Sequence, residues 1–344
     1  MVVNNSHIQL LDCTLRDGGI AIDFNFGVER MQEIKSTLEA SGVEYIECGY
    51  INERKGSPAG RTCFDNEQSI QKSLLNTGKQ KNISYVAIID HNTFTLNNLQ
   101  PANPNGIDGI RYAFHKEDMR QALNDAKIII DKGYDLYIQP MVSVRYSDQE
   151  FKEMIDICNS ELADAKTFYI VDSFGQMDND MVLHQLEIAD MYINKSMTIG
   201  FHGHNNRQLV YSNSLAIIAR QNNHDLLLDS TIMGMGKGAG NLCTELIMPM
   251  LDKQGTKYTL TGIYHLINNY IAGLQKSHPW GYNLDNYLSS LYGCTPSYIK
   301  HFTKDSRVTT DILIALLKGM PDEKRAACDK IFAEKYLASF FENK

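Results

Sequence analysis

Two histidines separated by one glycine, His202-Gly203-His204, close a short apolar run that begins at Met197. On a strand, side chains two apart project from the same face, so these imidazoles would stand side by side. Gly203 leaves room for a group to come close. Paired imidazoles at a strand end, followed by Asn205 and Asn206, suit a metal ion; two surface histidines beside a loop is the competing reading. A second stretch, Thr14-Leu-Arg-Asp-Gly-Gly19, sets a cation beside a carboxylate after another apolar run, where a salt-bridged turn is the alternative. A third, Met233-Gly-Met-Gly-Lys-Gly-Ala-Gly-Asn-Leu-Cys-Thr-Glu245, alternates glycines so that backbone amides can approach a ligand, and Asn241 is expected to begin a helix. It carries neither a Gly-x-Gly-x-x-Gly fingerprint nor the Lys-Ser/Thr pair of a phosphate loop.

The elements that must position these residues alternate from residue 8 to about 254. Strands are expected at Ile8–Cys13, Val43–Gly49, Ser84–Ile89, Gly109–Phe114, Leu136–Val142, Thr167–Val171, Met197–Phe201 and Asp225–Asp229. Most are near-continuous apolar runs, the mark of parallel strands covered on both faces. Helical spacing lies between them: Val28, Met31, Ile34 and Leu38 form one apolar face, and Val182, Leu186, Ala189 and Ile193 another. Eight such units fit a (β/α)₈ TIM barrel better than an open sheet, and no glycine-rich dinucleotide turn follows the first strand. In a barrel the chemistry sits at the C-terminal strand ends, where Asp17 and both histidines fall. The catalytic barrel is thus assigned to residues 1–254. From 255 to 344 the chain reads as a helical C-terminal region, a lid or an oligomer contact, and it holds the single tryptophan in Pro279-Trp-Gly-Tyr282.

Composition bounds the function class. The 344 residues carry a net charge of −8, which argues against a nucleic-acid platform. No apolar run is long enough to span a bilayer, and Met1 to His7 lacks the basic start and apolar core of a secretion signal. Seven cysteines without a Cys-x-x-Cys pair point to a reduced, cytoplasmic protein without disulfides.

Taken together, TLRDGG, HGHNN and GMGKGAGN…TE resemble the metal-dependent aldolase–lyase barrel superfamily of 3-hydroxy-3-methylglutaryl-CoA lyase type. They stand in the family's order over about residues 8–254. GMGKGAGN and Ile170-Val-Asp-Ser173 look like the 4-hydroxy-2-oxovalerate aldolase branch, whereas the lyase branch carries a cysteine in the glycine-rich loop. The resemblance implies Asp17, His202 and His204 as ligands of one divalent ion, with Asn241 a fourth ligand or a neighbour of one. It implies that Arg16 stabilises an enolate oxygen and that Ser173 lies at the substrate. A 2-oxo acid chelates such an ion through two oxygens, which favours Mn²⁺ or Mg²⁺ and leaves Zn²⁺ open. The implied reaction makes or breaks a C–C bond beside a small-molecule 2-oxo acid, with a pyruvate enolate as intermediate. An acyl-CoA Claisen-type synthase or lyase is the alternative, and a non-catalytic metal- and ligand-binding barrel that docks a partner is another. Aldolases of this kind often pair with a dehydrogenase, so the C-terminal region is a candidate docking or homo-oligomer surface.

Two departures from the family pattern bear on mechanism. Many aldolase relatives carry an acid–base histidine two residues after the Asp-Gly pair, and here that position is Ile20. Asp23, a tyrosine or metal-bound water would have to move the proton instead. Gly293-Cys-Thr-Pro-Ser-Tyr298 falls where aldolases carry a stereocontrolling tyrosine, and Thr295 occupies its place in an ungapped match. Outside the three motifs, Glu47 and Arg111 lie within expected strands, either pointing into the barrel mouth to meet substrate or forming a buried ion pair. Arg54, Lys55 and Arg61, in the polar stretch from Tyr50 to Asn66, and Arg145 with Tyr146 are weaker anion-binding candidates; His91 and His115 lie near strand ends.

Overall fold

A computed structural model describes residues 7–220 and 222–342; most of the stretch read above for a secretion signal lies outside them. Nine strands, all paired in parallel, form one sheet: β1 (Ile8–Asp12), β2 (Tyr45–Ile51), β3 (Cys63–Phe64), β4 (Ser84–Asp90), β5 (Gly109–Phe114), β6 (Asp135–Pro140), β7 (Thr167–Asp172), β8 (Thr198–Gly203) and β9 (Leu226–Ser230). Their order is β1-β9-β8-β7-β6-β5-β4-β2, and the pairing of β1 with β2 closes the barrel. The short β3 hangs on the outer edge of β2 and comes from the polar stretch after it. The eight expected strands are the eight staves, each within a few residues of its expected bounds.

The closed sheet sorts its side chains by alternation. Leu11, Cys13, Tyr45, Val86, Tyr137, Tyr169, Val171 and Leu227 form a buried cluster inside the barrel. The opposite faces of the strands, with Leu10, Ile46, Ala87, Ile110, Ile138, Ile170 and Leu228 among them, belong to the larger core beneath the surrounding helices. Those helices are α1 (Val28–Ser41), α2 (Glu67–Ser73), α3 (Met119–Asp131), α4 (Asp148–Glu161), α5 (Asn179–Tyr192), α6 (Val210–Ala219) and α7 (Thr244–Leu251). Of the expected stripe of α1, Met31, Ile34 and Leu38 are buried while Val28, at its first position, is exposed, and the helix ends on Gly42 in the left-handed conformation. α4 opens with a reciprocal capping box between Ser147 and Glu150.

Beyond the barrel lie α8 (Thr261–Leu266) and α9 (Ala272–Ser277), joined by a π-helical turn, then α10 (Leu284–Leu291), α11 (Pro296–Phe302), α12 (Thr310–Gly319), α13 (Asp322–Arg325) and α14 (Lys330–Glu342). The region is helical, as its apolar spacing requires. Tyr258, Ile263, Leu266, Ile271 and Trp280 join the barrel's own core. A separate core of Leu288, Tyr298, Phe302, Leu313, Leu316 and Leu317 starts only with α10. Among the described residues no helix is long and apolar enough to cross a membrane.

Candidate active site

The turn after β1 is a π-helical loop, Thr14–Gly18, in which the Gly18 amide reaches back five residues to the Cys13 carbonyl at 3.4 Å. Such wide turns recur at functional sites because they aim side chains that a regular helix would not. This one directs Asp17 and Arg16 over the mouth of the barrel. Asp17 Oδ2 lies 3.5 Å from His202 Nε2 and 3.8 Å from His204 Nε2. All three side chains are buried, and their ligand atoms lie within 4.8 Å of one another.

The other imidazole nitrogens are both engaged. His202 Nδ1 lies 2.8 Å from Asp229 Oδ2 on β9, and His204 Nδ1 lies 3.2 Å from the Lys237 carbonyl oxygen in the glycine-rich loop. Each acceptor favours a proton on Nδ1 and turns the Nε2 lone pair toward Asp17, the arrangement that orients metal-binding histidines. Burial pushes His204 down to about 4, against the pull of Asp17, so its ring is neutral near pH 7. For His202 burial also opposes charge, but Asp17 and Asp229 together hold its pKa above the ordinary value. Burial alone would raise Asp17; Arg16 and the histidines instead hold it well below the usual carboxylate range.

A second layer of charge lies underneath. Arg16 Nε donates to Glu47 Oε2 at 2.7 Å and its Nη1 to Asp17 Oδ2 at 2.5 Å. Arg111, wholly buried, pairs with Glu47 at 2.7 Å and with Asp229, and its guanidinium lies 4.9 Å from the Tyr169 ring centre. Tyr169 in turn donates to Asp229 Oδ1 at 2.9 Å. Two arginines thus face three carboxylates, one negative charge in excess of the guanidiniums before the histidines are counted. A cation among Asp17, His202 and His204 would balance it.

Asn241 supplies the clearest sign of a missing partner. It is buried, bridged to His204 through the backbone, and its side-chain Oδ1 receives no hydrogen bond. Among the described residues its side-chain nitrogen makes only a 3.4 Å contact to the Met235 carbonyl. The neighbouring Gly236 keeps the approach clear, because a Cβ there would lie 2.3 Å from Asn241 Nδ2 and 2.8 Å from Asp17 Oδ1. Asn241 does not begin a helix as expected. The pairings His204–Asn241 and Thr231–Cys243 hold this segment extended, and α7 starts only at Thr244.

The remaining candidates are placed as follows. Ser173 follows β7, and its hydroxyl oxygen accepts the Val142 amide at 2.9 Å. Asp23 stands in a left-handed turn with its side chain 79% exposed and paired to Arg61 at 2.7 Å. Arg54 donates to the Asn92 carbonyl, and the Lys55 ammonium lies over the rings of Phe24 and Tyr50. Thr295 is buried among the C-terminal helices, where its amide donates to the Arg325 carbonyl. Arg145 donates to the Asp322 carbonyl. His91 bonds the Tyr112 hydroxyl at 2.8 Å, on the outward side of the strands. Asp229 was not singled out in the sequence. Its only signal there was its position, last in an apolar run at a strand end.

The HMGL-like family model matches residues 7–268. The chain belongs to the HMGL-like family. The family is enzymatic, and the chain is a lyase-type barrel enzyme within it. The 4-hydroxy-2-oxovalerate aldolase of Carboxydothermus hydrogenoformans is 30% identical over 253 residues, covering 72% of this chain and 71% of that protein. Among solved structures, the N-terminal domain of a candidate aldolase from Bacteroides vulgatus superposes with a TM-score of 0.73 at 25% identity, over 89% of this chain and 99% of that one. The carboxyl transferase domain of pyruvate carboxylase from Rhizobium etli gives 0.70 at 13% identity over 99% of this chain and 62% of that one, so the likeness of fold reaches into the C-terminal helices.

Proposed function

We propose that this HMGL-like barrel is an aldolase that cleaves or forms a C–C bond beside a 2-oxo acid, with pyruvate or a homologue as the enolate half. The observation that carries the reading is the convergence of Asp17 Oδ2 with two Nε2 atoms whose partner nitrogens are already engaged. Asp17, His202 and His204 would hold one divalent ion, with the unpartnered Asn241 Oδ1 beside it. Mn²⁺ or Mg²⁺ suits an oxygen-chelating substrate, and Zn²⁺ suits the two imidazoles. When bound, the ion supplies Lewis acidity to the substrate's 2-oxo group.

The chain's own residues do the rest. Arg16 is fixed by Glu47 and Asp17, so its planar fork meets the developing enolate oxygen without reorganising. Asp229 holds the His202 ring in place, and Arg111 and Tyr169 hold Asp229. Burial of the whole cluster keeps water from weakening these interactions. The relatives named as 4-hydroxy-2-oxovalerate aldolases support the substrate class. The test is release of pyruvate from 4-hydroxy-2-oxo acids by protein loaded with each of the three ions. No release with any of them from any chain length of substrate overturns the reading.

A further inference from the structure

Along β4, Val86, Ile88 and Asp90 share the face turned into the barrel. Val86 belongs to the interior cluster, and Ile88 is in register with the inward-facing Arg111. Asp90 is therefore the uppermost inward residue of its strand. On the neighbouring β2, Tyr45 and Glu47 face inward, and simple alternation would next bring in Gly49. The pairing of β2 with β4 instead shifts between Glu47 and Tyr50. Gly49 makes the shift, at φ +153°, with its backbone so close to Thr62 that a Cβ would lie 2.2 Å from the Thr62 carbonyl oxygen. Tyr50 then comes opposite Ile88 and turns inward, the kind of re-aiming that strand irregularities achieve near active sites.

The result is a polar pair on the wall formed by β2 and β4. The Tyr50 hydroxyl donates to Asp90 Oδ2 at 3.1 Å and accepts from Asn52 Nδ2 at 3.2 Å. Its ring stacks on Phe24 with centroids 6.0 Å apart. Asp90 Oδ1 receives no hydrogen bond among the described residues, and the residue is half-buried at the mouth. Arg16, His115 and Lys237 bear on its carboxyl from the loop after β1, the end of β5 and the glycine-rich loop, and burial pushes its pKa up. Such a carboxyl is a stronger base than one in water. Ile20 carries no titratable group, and Asp23 is spent on Arg61.

We propose that Asp90, with Tyr50 behind it, is the acid–base group that takes the hydroxyl proton of a 4-hydroxy-2-oxo acid. This rests on the aldolase reading. Asp90 accepts the proton of the C4 hydroxyl as the C3–C4 bond breaks. The oxygen's electrons form the aldehyde carbonyl, and the C–C pair passes to C3 to give the pyruvate enolate. Return of the proton from Asp90 to C3 yields pyruvate and restores the carboxylate.

The test compares two reactions in the full, ion-loaded chain. Cleavage of 4-hydroxy-2-oxovalerate needs a hydroxyl proton removed; decarboxylation of oxaloacetate, followed as carbon dioxide released in a single turnover, reaches the same enolate without one and before any proton is delivered to C3. In Asp90→Asn the ratio of cleavage to decarboxylation should fall about 100-fold, and in Tyr50→Phe about tenfold, within the range a positioned acid–base group contributes. A ratio preserved in both variants overturns the assignment, as does a parallel loss of both reactions, which would make Asp90 a structural residue. If either variant fails to fold, the other still decides. A wild type that holds its ion but performs neither reaction overturns the aldolase reading itself, and the proton assignment with it. An active wild type with an unchanged ratio in the variants removes the proton assignment alone.

Discussion

Asp229 Oδ2 receives His202 Nδ1 at 2.8 Å and also pairs with Arg111, so one carboxylate oxygen links the buried arginine to the candidate metal ligand. Loss of a partner behind a ligating histidine typically costs about 10- to 100-fold in metal affinity. Asp229→Asn should weaken divalent-ion binding by that factor. Calorimetric titration of the ion-free protein measures it, and unchanged affinity would leave Asp229 a purely structural residue.

The candidate ligands themselves should respond more sharply. His202→Ala or Asp17→Asn should abolish retention of the ion on gel filtration, read by mass spectrometry of the eluted metal. The melting temperature without metal should change little for His202→Ala, because the interior and outer cores do not depend on the ion.

Arg16 lies between Glu47 and Asp17, and a lysine cannot contact both with one planar group. Arg16→Lys should lower kcat for pyruvate formation by about two to three orders of magnitude. Ion content should be retained. Turnover near that of the wild type would take Arg16 out of the mechanism.

Much of this centre is legible in the sequence, and the reasons for the rest are specific. His202 and His204 reveal themselves because period-two spacing needs no tertiary information, and Asp17 follows from its place after a strand. Arg111 finds Glu47 and Asp229 across 64 and 118 positions by barrel closure, which leaves no trace in local spacing. Asn241 reads as a helix start because glycines precede a polar residue, while its actual partner is His204, 37 residues earlier and just past β8. Tyr50 reads as the start of the polar stretch after a strand ending at Gly49, and nothing in the local pattern shows the register shift that carries β2 on to Ile51 and turns Tyr50 inward.

Asp12, buried at the end of β1, accepts from the Thr14 amide and the Thr244 hydroxyl, yet burial raises its pKa from 3.8 to about 6. Between these values the folded chain holds more protons than the unfolded one, so stability falls as pH rises from about 4 to about 6 and is flat above. The component is on the order of 3 kcal/mol. Asp12→Asn, which keeps the acceptor for Thr14, should flatten the denaturation midpoint across that window. An unaltered slope would show that Asp12 stays ionised in the fold.

Trp280 donates its indole N–H to the Met233 carbonyl at 3.0 Å, at the head of the glycine-rich loop, and its ring fills part of the barrel's core. It lies twelve residues past the end of the family match at 268. The glycine-rich loop of the candidate site is therefore held by a strut that lies outside the family match. A polypeptide trimmed at 268 would keep every candidate ligand and lose the anchor of the loop carrying Lys237 and Asn241. The connection between α9 and α10 is, in this sense, the last part of the candidate site to be synthesised.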